Sequence, residues 1–281
     1  MTDTDSVEVN RPAARPRPDI GIKATGLTVD FPIYDANSRS LRHVLMLNPV
    51  ANAMRGASHV GGTIAQGSRG AMVVRAIDGM SFEIAKGERV GIIGHNGAGK
   101  TTLLRTVAGI YEPTGGKLET VGRIMPLFNL MEGMMPDATG REFIRIRGIL
   151  LGLEPSQIDA LTEEVIDFCE LGVYIDMPVR TYSTGMLVRL AFALATSVTS
   201  DILLFDELIG AGDARFVERA EARLQTFVKR SSIVMVATHS AAVMQKWCTR
   251  AFLLDHGKIV HDGGVIEVLK TYAKRRAAEG A

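Results

Sequence analysis

The chain has 281 residues, of which 46% are hydrophobic and 22% are charged, and its formal net charge is +1. This composition is typical of a globular protein, and the nearly neutral charge argues against a protein that captures nucleic acids. No apolar run approaches the roughly 20 residues that span a bilayer, and residues 1–10 are too polar for a signal peptide, so we expect any membrane role to come through a partner. The spacing of Cys169 and Cys248 fits neither a metal site nor a redox motif, which predicts two free thiols in a reducing compartment.

The N-terminal third combines strands with two segments of different character. Residues 1–18 are polar and rich in proline, which predicts a disordered tail. Residues 21–31 and 73–84 alternate as strands do and predict a β-rich subdomain. Between them, residues 34–71 form an insertion in which we expect a short amphipathic helix at 40–47 and otherwise loop. A solvated surface segment and a partner-binding segment are both compatible with this pattern.

A glycine-rich loop follows a short apolar strand at 89–93 and precedes a helical pattern at 102–108. The loop matches G-x-x-x-x-G-K-[ST], in which glycines let backbone N–H groups surround phosphate oxygens. The residues that we predict to bind nucleotide phosphates are Gly94, His95, Asn96, Gly97, Ala98, Gly99, Lys100, Thr101 and Thr102. A helix N-terminus favours anions, Lys100 adds a full positive charge, and Thr101 offers a hydroxyl to Mg²⁺.

Helices come next, and strands and helices then alternate. Residues 137–186 predict a helical insert, with helices at 140–151 and 156–171 and with Pro155 at the start of the second. A strongly apolar helix follows at 186–196. The remaining predicted elements are a strand at 201–205, a helix at 214–229, a strand at 233–237, a hairpin at 252–260 and a last helix that ends near residue 276. This alternation predicts an α/β fold with a central parallel sheet.

Two of the predicted strands end in side chains suited to phosphate chemistry. Asp206 and Glu207 follow the strand at 201–205, and His239 follows the strand at 233–237. Because open α/β sheets bind ligands at the carboxyl ends of their strands, these groups should lie beside the bound phosphates. Asp206 suits a Mg²⁺ shell, Glu207 the orientation of attacking water, and His239 a hydrogen bond to the terminal phosphate. Each feature alone is ordinary, and their order after the glycine-rich loop favours the functional interpretation.

The peptide Tyr-Ser-Thr-Gly-Met at 182–186 completes a set of motifs that resembles the ATPase subunits of ABC transporters. The resemblance covers residues 20–275 and implies an α/β fold with a P-loop NTPase core of ABC type, a β-rich N-terminal subdomain and a helical insert. It also implies that Ser183, Thr184 and Gly185 bind the terminal phosphate of ATP held by the loop of the opposite subunit in a homodimer. A helix N-terminus that carries a hydroxyl and a glycine is physically suited to such a second anion contact.

The same resemblance implies catalytic roles within an ATPase domain that we place at residues 19–281. Glu207, His239 and Lys100 are the implied catalytic residues. Asp213 corresponds to the acid of the loop through which the two ATP sites communicate in the family. The implied cofactors are ATP and Mg²⁺.

At the expected metal and adenine contacts the sequence departs from the pattern of the family. Thr101 and Asp206 are the implied Mg²⁺ ligands, whereas the glutamine that most of the family places before the helical insert is missing. Asn129 is the nearest substitute for that glutamine. The aromatic residue that stacks on adenine aligns best with Phe31, with Tyr34 close behind, and either side chain could instead belong to the core.

A narrower resemblance concerns the subunits that export lipid-linked polysaccharides such as O-antigen, capsule or teichoic acid. It rests on the peptide at 176–186, on residues 139–142, and on the insertion that begins after the Phe-Pro-Ile-Tyr sequence at 31–34. It implies a peripheral protein on the cytoplasmic face of the inner membrane, docked through its helical insert on a separate membrane permease that handles the glycolipid. Some members carry a C-terminal carbohydrate-binding domain. We do not expect one here, so glycan selection should belong to the permease.

The sequence leaves two alternatives open. An importer of small solutes, or an exporter of drugs or lipids, would share every ATPase motif, and only the long insertion and the missing glutamine argue against it. A soluble mechanochemical ATPase that acts on DNA or ribosomes is the second alternative. The sequence shows neither the long coiled coil nor the second cassette of such proteins.

Overall fold

The computed structural model describes most of the predicted domain. The described residues are 19–33, 63–66, 72–128, 130–206 and 214–279. The predicted tail at 1–18 and the predicted helix at 40–47 fall outside these ranges. Among the helices of the described ranges, none combines the length and the apolar character that a membrane span needs.

Ten strands and seven helices are assigned in these ranges. The strands are β1 (Ile20–Pro32), β2 (Thr63–Gln66), β3 (Met72–Ala85), β4 (Arg89–Gly94), β5 (Gly115–Thr120), β6 (Ile124–Pro126), β7 (Ile202–Asp206), β8 (Ile233–Ala237), β9 (Arg250–Asp255) and β10 (Lys258–Gly264). The helices are α1 (Lys100–Val107), α2 (Gly140–Leu150), α3 (Pro155–Cys169), α4 (Thr184–Ser197), α5 (Ala214–Arg230), α6 (Ala241–Trp247) and α7 (Val265–Glu279). Two 3₁₀ turns, Gly172–Asp176 and Val179–Thr181, precede α4.

The larger sheet has six strands in the order β10-β9-β4-β8-β7-β6, and only β10 runs antiparallel to its neighbour. Strands β4, β7 and β8 have apolar side chains on both faces, which explains their almost continuously apolar sequences. On β7, Ile202 and Leu204 face one apolar cluster, whereas Leu203 and Phe205 face another. The structure thus confirms the predicted parallel sheet inside an α/β fold.

The smaller sheet is antiparallel, with the order β2-β3-β1-β5. It confirms the predicted β-rich N-terminal subdomain, since β1 and β3 pair along most of their length. The prediction of loop at residues 63–66 is wrong, because these residues form β2, in which Ile64 lies opposite Val74 of β3. A strand of four residues shows too little alternation to be recognised alone, and its pairing with the edge of β3 fixes its conformation.

Helix α1 is packed between the two sheets. Leu103, Leu104 and Val107 are buried in the same apolar cluster as Ile84 of β3 and Ile92 of β4. Burial of each leucine stabilises the fold by about 1.5–3 kcal/mol before conformational entropy is subtracted. The position of the N-terminus of α1 is therefore fixed by both sheets together.

Side chains connect the helical insert to the core. Helix α2 begins with a capping box, in which Thr139 Oγ1 accepts a bond from Glu142 N at 3.1 Å and the Glu142 carboxylate accepts one from Thr139 N at 2.9 Å. Arg223 of α5 donates to Glu164 of α3 at 2.6 Å and to Thr196 of α4 at 2.6 Å. These bonds connect α5 to α3 of the helical insert and to α4, which follows the insert.

The buried thiols give a testable prediction. Cys169 and Cys248 are buried and unbridged; burial raises the pKa of Cys248 to about 12 and also raises the pKa of Cys169. Since only the thiolate is alkylated, and an ordinary thiol has a pKa near 8.5, we expect Cys248 to react at pH 8 roughly a thousandfold more slowly in the native protein than in the unfolded chain. Peptide mapping after N-ethylmaleimide treatment, with and without denaturant, measures this ratio. Equal labelling rates would contradict the assigned burial.

Candidate functional site

The glycine-rich loop leaves the end of β4 and turns directly into α1. Gly97 and Gly99 have φ values of 83° and 104°, a region that other residues rarely adopt. A Cβ on Gly99 would lie 2.6 Å from the carbonyl oxygen of Ala76, and one on Gly94 would lie 2.3 Å from that of Leu254. The loop backbone therefore needs glycine both for its conformation and for its close approach to β3 and β9.

The Lys100 side chain links two carbonyl groups of the loop from its concave side. The side chain is buried, and its Nζ donates hydrogen bonds to the carbonyl oxygens of Gly94 at 2.8 Å and His95 at 3.0 Å. These bonds hold the ammonium group at the concave side of the loop. A positive charge fixed there favours phosphate oxygens.

A cleft of about 390 Å³ brings together residues that are far apart in sequence. Its lining from the loop and α1 comprises Asn96, Gly97, Gly99, Lys100, Thr101 and Thr102. Asp206 and His239 line the same cleft, as do Phe31, Val74 and Ala76 of the smaller sheet. The loop and the polar side chains at the ends of β7 and β8 thus form one continuous site.

The adjacency of β7 and β8 accounts for this convergence. The two strands are parallel neighbours, and Asp206 at the end of β7 pairs in register with Ala237 of β8. His239 follows two residues later and is exposed. The hydroxyl of Thr101 and the carboxylate of Asp206 are hard oxygen donors on the same cleft, which is the ligand chemistry that Mg²⁺ prefers.

Phe31, which lines the cleft, belongs to an aromatic pair. Phe31 is partly buried, and its ring meets the ring of Tyr111 edge to face at a centroid distance of 5.1 Å. Arg105 Nη1 donates to the Tyr111 hydroxyl at 2.9 Å. Tyr111 was missed by the sequence analysis because no motif marks it. Its position depends on packing between the chain after α1 and the end of β1.

The peptide at 182–186 lies apart from this cleft in the single chain, as the lining of the cleft shows. Ser183 is the N-cap of α4 and accepts a hydrogen bond from Met186 N at 3.3 Å. Ser183 and Thr184 are exposed. A Cβ on Gly185 would approach only Ser183 Oγ, at 3.9 Å. Nothing described in the chain's own packing therefore demands glycine at this position.

Four predicted site residues lie beyond the described ranges, namely Tyr34, Asn129, Glu207 and Asp213. Two contacts of the loop were also missed by the sequence analysis. Gly257, in the turn between β9 and β10, donates from its N–H to the carbonyl of Ala98 at 3.1 Å, and His95 Nε2 lies 3.2 Å from Asp255 Oδ1. The turn itself was predicted, but sequence alone gave no sign that it packs against the glycine-rich loop.

A phosphate loop between a central parallel strand and a helix, with acidic and imidazole side chains at neighbouring strand ends, defines a P-loop nucleoside triphosphatase. A family model described as ABC transporter matches residues 77–210. The O-antigen export system ATP-binding protein RfbE of Yersinia enterocolitica is 44% identical over 237 residues, which are 84% of this chain and 95% of that protein. The chain therefore belongs to the ABC transporter family.

Other relatives are longer than the region they share with this chain. The O-antigen export system ATP-binding protein RfbB of Myxococcus xanthus is 44% identical over 73% of this chain and 47% of that protein. The teichoic acids export ATP-binding protein TagH of Lactococcus lactis is 35% identical over 71% of this chain and 42% of that protein. The chain thus spans less than half the length of these two proteins.

Solved structures share the fold at low sequence identity. The ATP-binding cassette MJ0796, in a dimeric post-hydrolysis state bound to ADP and Pi, superimposes with a TM-score of 0.62 at 18% identity, covering 87% of this chain and 98% of that one. A structure described as the ATP-binding subunit of an ABC transporter gives a TM-score of 0.64 at 16% identity, with 90% and 93% covered. Both confirm the ABC-type ATPase fold.

The close approach at Gly99 yields a prediction with a matched control. Gly99→Ala combines an unfavourable φ with a clash against the Ala76 carbonyl, whereas Gly109→Ala, at φ 75°, meets no atom within 4 Å. We expect the Gly109 variant to lose about 1–2 kcal/mol of unfolding free energy from backbone strain, and the Gly99 variant to lose more. Urea denaturation of both variants measures the difference. Equal losses would show that the loop does not press against β3.

Proposed function

We propose that this protein is the ATP-hydrolysing subunit that powers export of a lipid-linked polysaccharide through a separate membrane permease. The observation that carries the ATPase part is the shared cleft of the phosphate loop, Asp206 and His239. The transport part is supported by relatives named as O-antigen and teichoic acid export ATP-binding proteins, one of them matched over 95% of its length.

In this proposal the phosphates of ATP lie in the glycine-rich loop. Backbone N–H groups of residues 94–102 and the Lys100 ammonium bind the phosphate oxygens, while the aromatic face at Phe31 supports the base. Thr101 and Asp206 would hold Mg²⁺, and Asn129 is the candidate for a third ligand. When bound, Mg²⁺ neutralises charge on the phosphate oxygens.

Hydrolysis needs a water molecule aligned with the terminal phosphate. Glu207, next to Asp206 in sequence, is the proposed group that orients this water and takes up its proton. His239, exposed on the same cleft, would hydrogen-bond the terminal phosphate. The cleft therefore supplies positioning and charge, the two main contributions to phosphoryl transfer.

The second contact with ATP is proposed to come from another copy of the chain. Ser183, Thr184 and Gly185 form an exposed helix N-terminus outside the cleft of their own chain. The open space at Gly185 leaves room for a close approach by a partner. A homodimer that places this helix N-terminus on the phosphates of the partner's loop would complete two identical ATP sites, with Asp213 near the link between them.

The helical insert is the proposed docking surface for the permease. Several of its large apolar side chains are unusually exposed, with Ile149, Leu150 and Val173 at 65%, 74% and 75%. Tyr174 and Met177 are also exposed nearby in sequence. Large apolar side chains that stay exposed in the single chain support this segment as a protein interface. Docking there would place the protein as a peripheral subunit on the inner membrane, and the insertion at 34–71 is proposed to lie where the glycan enters.

The cargo can be tested in the native host. Deletion of this gene should remove a surface polysaccharide and leave its lipid-linked form inside the cell, and the intact gene should restore export where a Lys100→Ala copy does not. Normal surface polysaccharide together with lost uptake of a small solute would contradict the export proposal and favour an importer.

Substitution of the proposed general base tests the catalytic mechanism. Glu207→Gln should lower ATP turnover by roughly 10²–10⁴-fold, because a general base typically contributes this factor, while ATP binding stays intact. Glu218→Gln, at an exposed position of α5, is the matched control and should retain wild-type turnover. Steady-state phosphate release and fluorescent-nucleotide titration separate the two effects. Unchanged turnover in the Glu207 variant would remove this residue from the mechanism.

A charge on the exposed apolar surface tests docking. Val173→Asp should prevent co-purification of the permease without lowering the basal ATPase rate, because an aspartate at a buried interface carries a desolvation penalty. Val121→Asp, at a position that is 57% exposed outside the helical insert, serves as control and should leave the complex intact. Retention of the permease by both variants would place the docking surface elsewhere.

A further inference from the structure

The turn between β9 and β10 presents a histidine beside the phosphate loop. Strand β9 ends at Asp255 and β10 begins at Lys258, so His256 and Gly257 are the central residues of a two-residue hairpin. Their φ values are 44° and 76°, as a type I′ turn requires. Asparagine, aspartate or glycine usually occupies the first of these positions. Histidine there adopts a costly backbone conformation, and strain of this kind clusters at functional sites.

Two imidazoles and one carboxylate converge at this point. His95 Nε2 lies 3.2 Å from Asp255 Oδ1, and His256 Nδ1 lies 2.6 Å from the same oxygen. The centroids of the two imidazole rings are 4.9 Å apart. Within the described part of the chain, this is the one group of three or more histidine, cysteine or acidic residues whose ligand atoms all lie within 4.8 Å of one another.

The hydrogen bond that His95 makes to the backbone leaves its Nε2 atom as the one that can bind a metal ion. Its Nδ1 lies 2.8 Å from the carbonyl oxygen of Asn96, which only accepts, so Nδ1 carries a proton. The Nε2 atom of His95 then faces Asp255 Oδ1 at 3.2 Å, a spacing that suits two ligands of one metal ion.

We propose that His95, Asp255 and His256 form a binding site for a divalent transition-metal ion, with Zn²⁺ as the best match. Imidazole and carboxylate together suit Zn²⁺, and a ring N–H donated to a backbone carbonyl is the usual support of a metal-bound histidine. In tetrahedral geometry with bonds of about 2.0–2.2 Å, ligand atoms lie about 3.3 Å apart. The contact of His95 with Asp255 already has this spacing, and that of His256 needs to lengthen from 2.6 Å.

The surroundings allow a metal ion to enter and be held. The side chains of His95, Asp255 and His256 are 37%, 33% and 59% exposed, which leaves water for the remaining coordination position. Arg275 Nη1 lies 3.2 Å from Asp255 Oδ2 and so fixes the second carboxylate oxygen. The nearby guanidinium also weakens attraction for a cation, so the site should bind Zn²⁺ less tightly than a closed structural site does.

A metal ion in this position would connect the hairpin to the phosphate loop. His95 follows Gly94 directly, and Gly257 already donates to the Ala98 carbonyl at 3.1 Å. The site differs from the proposed Mg²⁺ site at Thr101 and Asp206, which offers oxygen ligands. It does not depend on the proposed function, because it needs neither nucleotide nor partner.

Metal titration of the untagged, full-length protein without nucleotide tests the proposal. Calorimetry with Zn²⁺, and visible d–d absorption with Co²⁺, should show one ion per chain. His256→Asn keeps a residue that tolerates positive φ but removes the imidazole, and it should lower the affinity at least about 100-fold. His261→Asn is the control, since His261 contacts Thr271 and Glu267 instead, and it should bind Zn²⁺ as the wild type does.

Two further measurements test the proposed metal site if His256→Asn folds poorly. Asp255→Asn should also weaken Zn²⁺ binding, and the ¹⁵N resonance of His95 Nε2 in the wild-type protein should shift on Zn²⁺ addition. Absence of stoichiometric Zn²⁺ binding, wild-type affinity in both variants, or an unchanged resonance would overturn the proposal and leave a hydrogen-bonded cluster without a metal. In metal-free buffer, the His256→Asn protein should bind fluorescent ATP with the same affinity as the wild type. Failure of both proteins to bind ATP would therefore contradict the proposed ATPase function and leave the metal site untouched.

Discussion

The structure depends on one constraint, which is the close approach of the phosphate-loop backbone to the carbonyl oxygens of Ala76 and Leu254. Only glycine at positions 99 and 94 permits these distances. Because Ala76 belongs to the smaller sheet and Leu254 to the larger one, the loop reaches its final shape only when both sheets have formed around α1. The anion site is thus a product of the whole fold, and Lys100 closes it with bonds to two carbonyl groups.

Sequence predicted the central elements well for physical reasons. Strands β4, β7 and β8 are buried on both faces and read as uninterrupted apolar runs, and α3 carries proline in its first turn. Strand β5 and helix α6 were missed, because Gly115–Thr120 is mostly exposed and Ala241–Trp247 is only seven residues long. Strand β2 was mistaken for loop because pairing, not periodicity, determines it.

Sequence predicted those parts of the candidate site that local motifs mark. The loop, Asp206 and His239 follow recognisable strands, and the topology of parallel sheets brings such strand ends together. The packing of Tyr111 on Phe31, and of Gly257 on Ala98, joins segments that are distant in sequence. Contacts of that kind arise from tertiary structure, and no single local pattern encodes them.

The separation of the phosphate loop from the N-terminus of α4 within one chain is the feature that most shapes the proposed function. The N-terminus of α4 is exposed and capped by Ser183, yet it does not line the cleft that holds the phosphate loop. A helix N-terminus with room around Gly185 is well suited to meet a partner's phosphate. In this account the ATP site is completed only between two copies, which couples nucleotide binding to association.

Sedimentation velocity of the Glu207→Gln protein, with and without Mg-ATP, tests this central claim most directly. The account predicts a monomer without nucleotide and a dimer when ATP is bound. It also predicts that adding Gly185→Asp returns the protein to a monomer that still binds ATP. A nucleotide-saturated Glu207→Gln protein that stays monomeric would contradict the shared site.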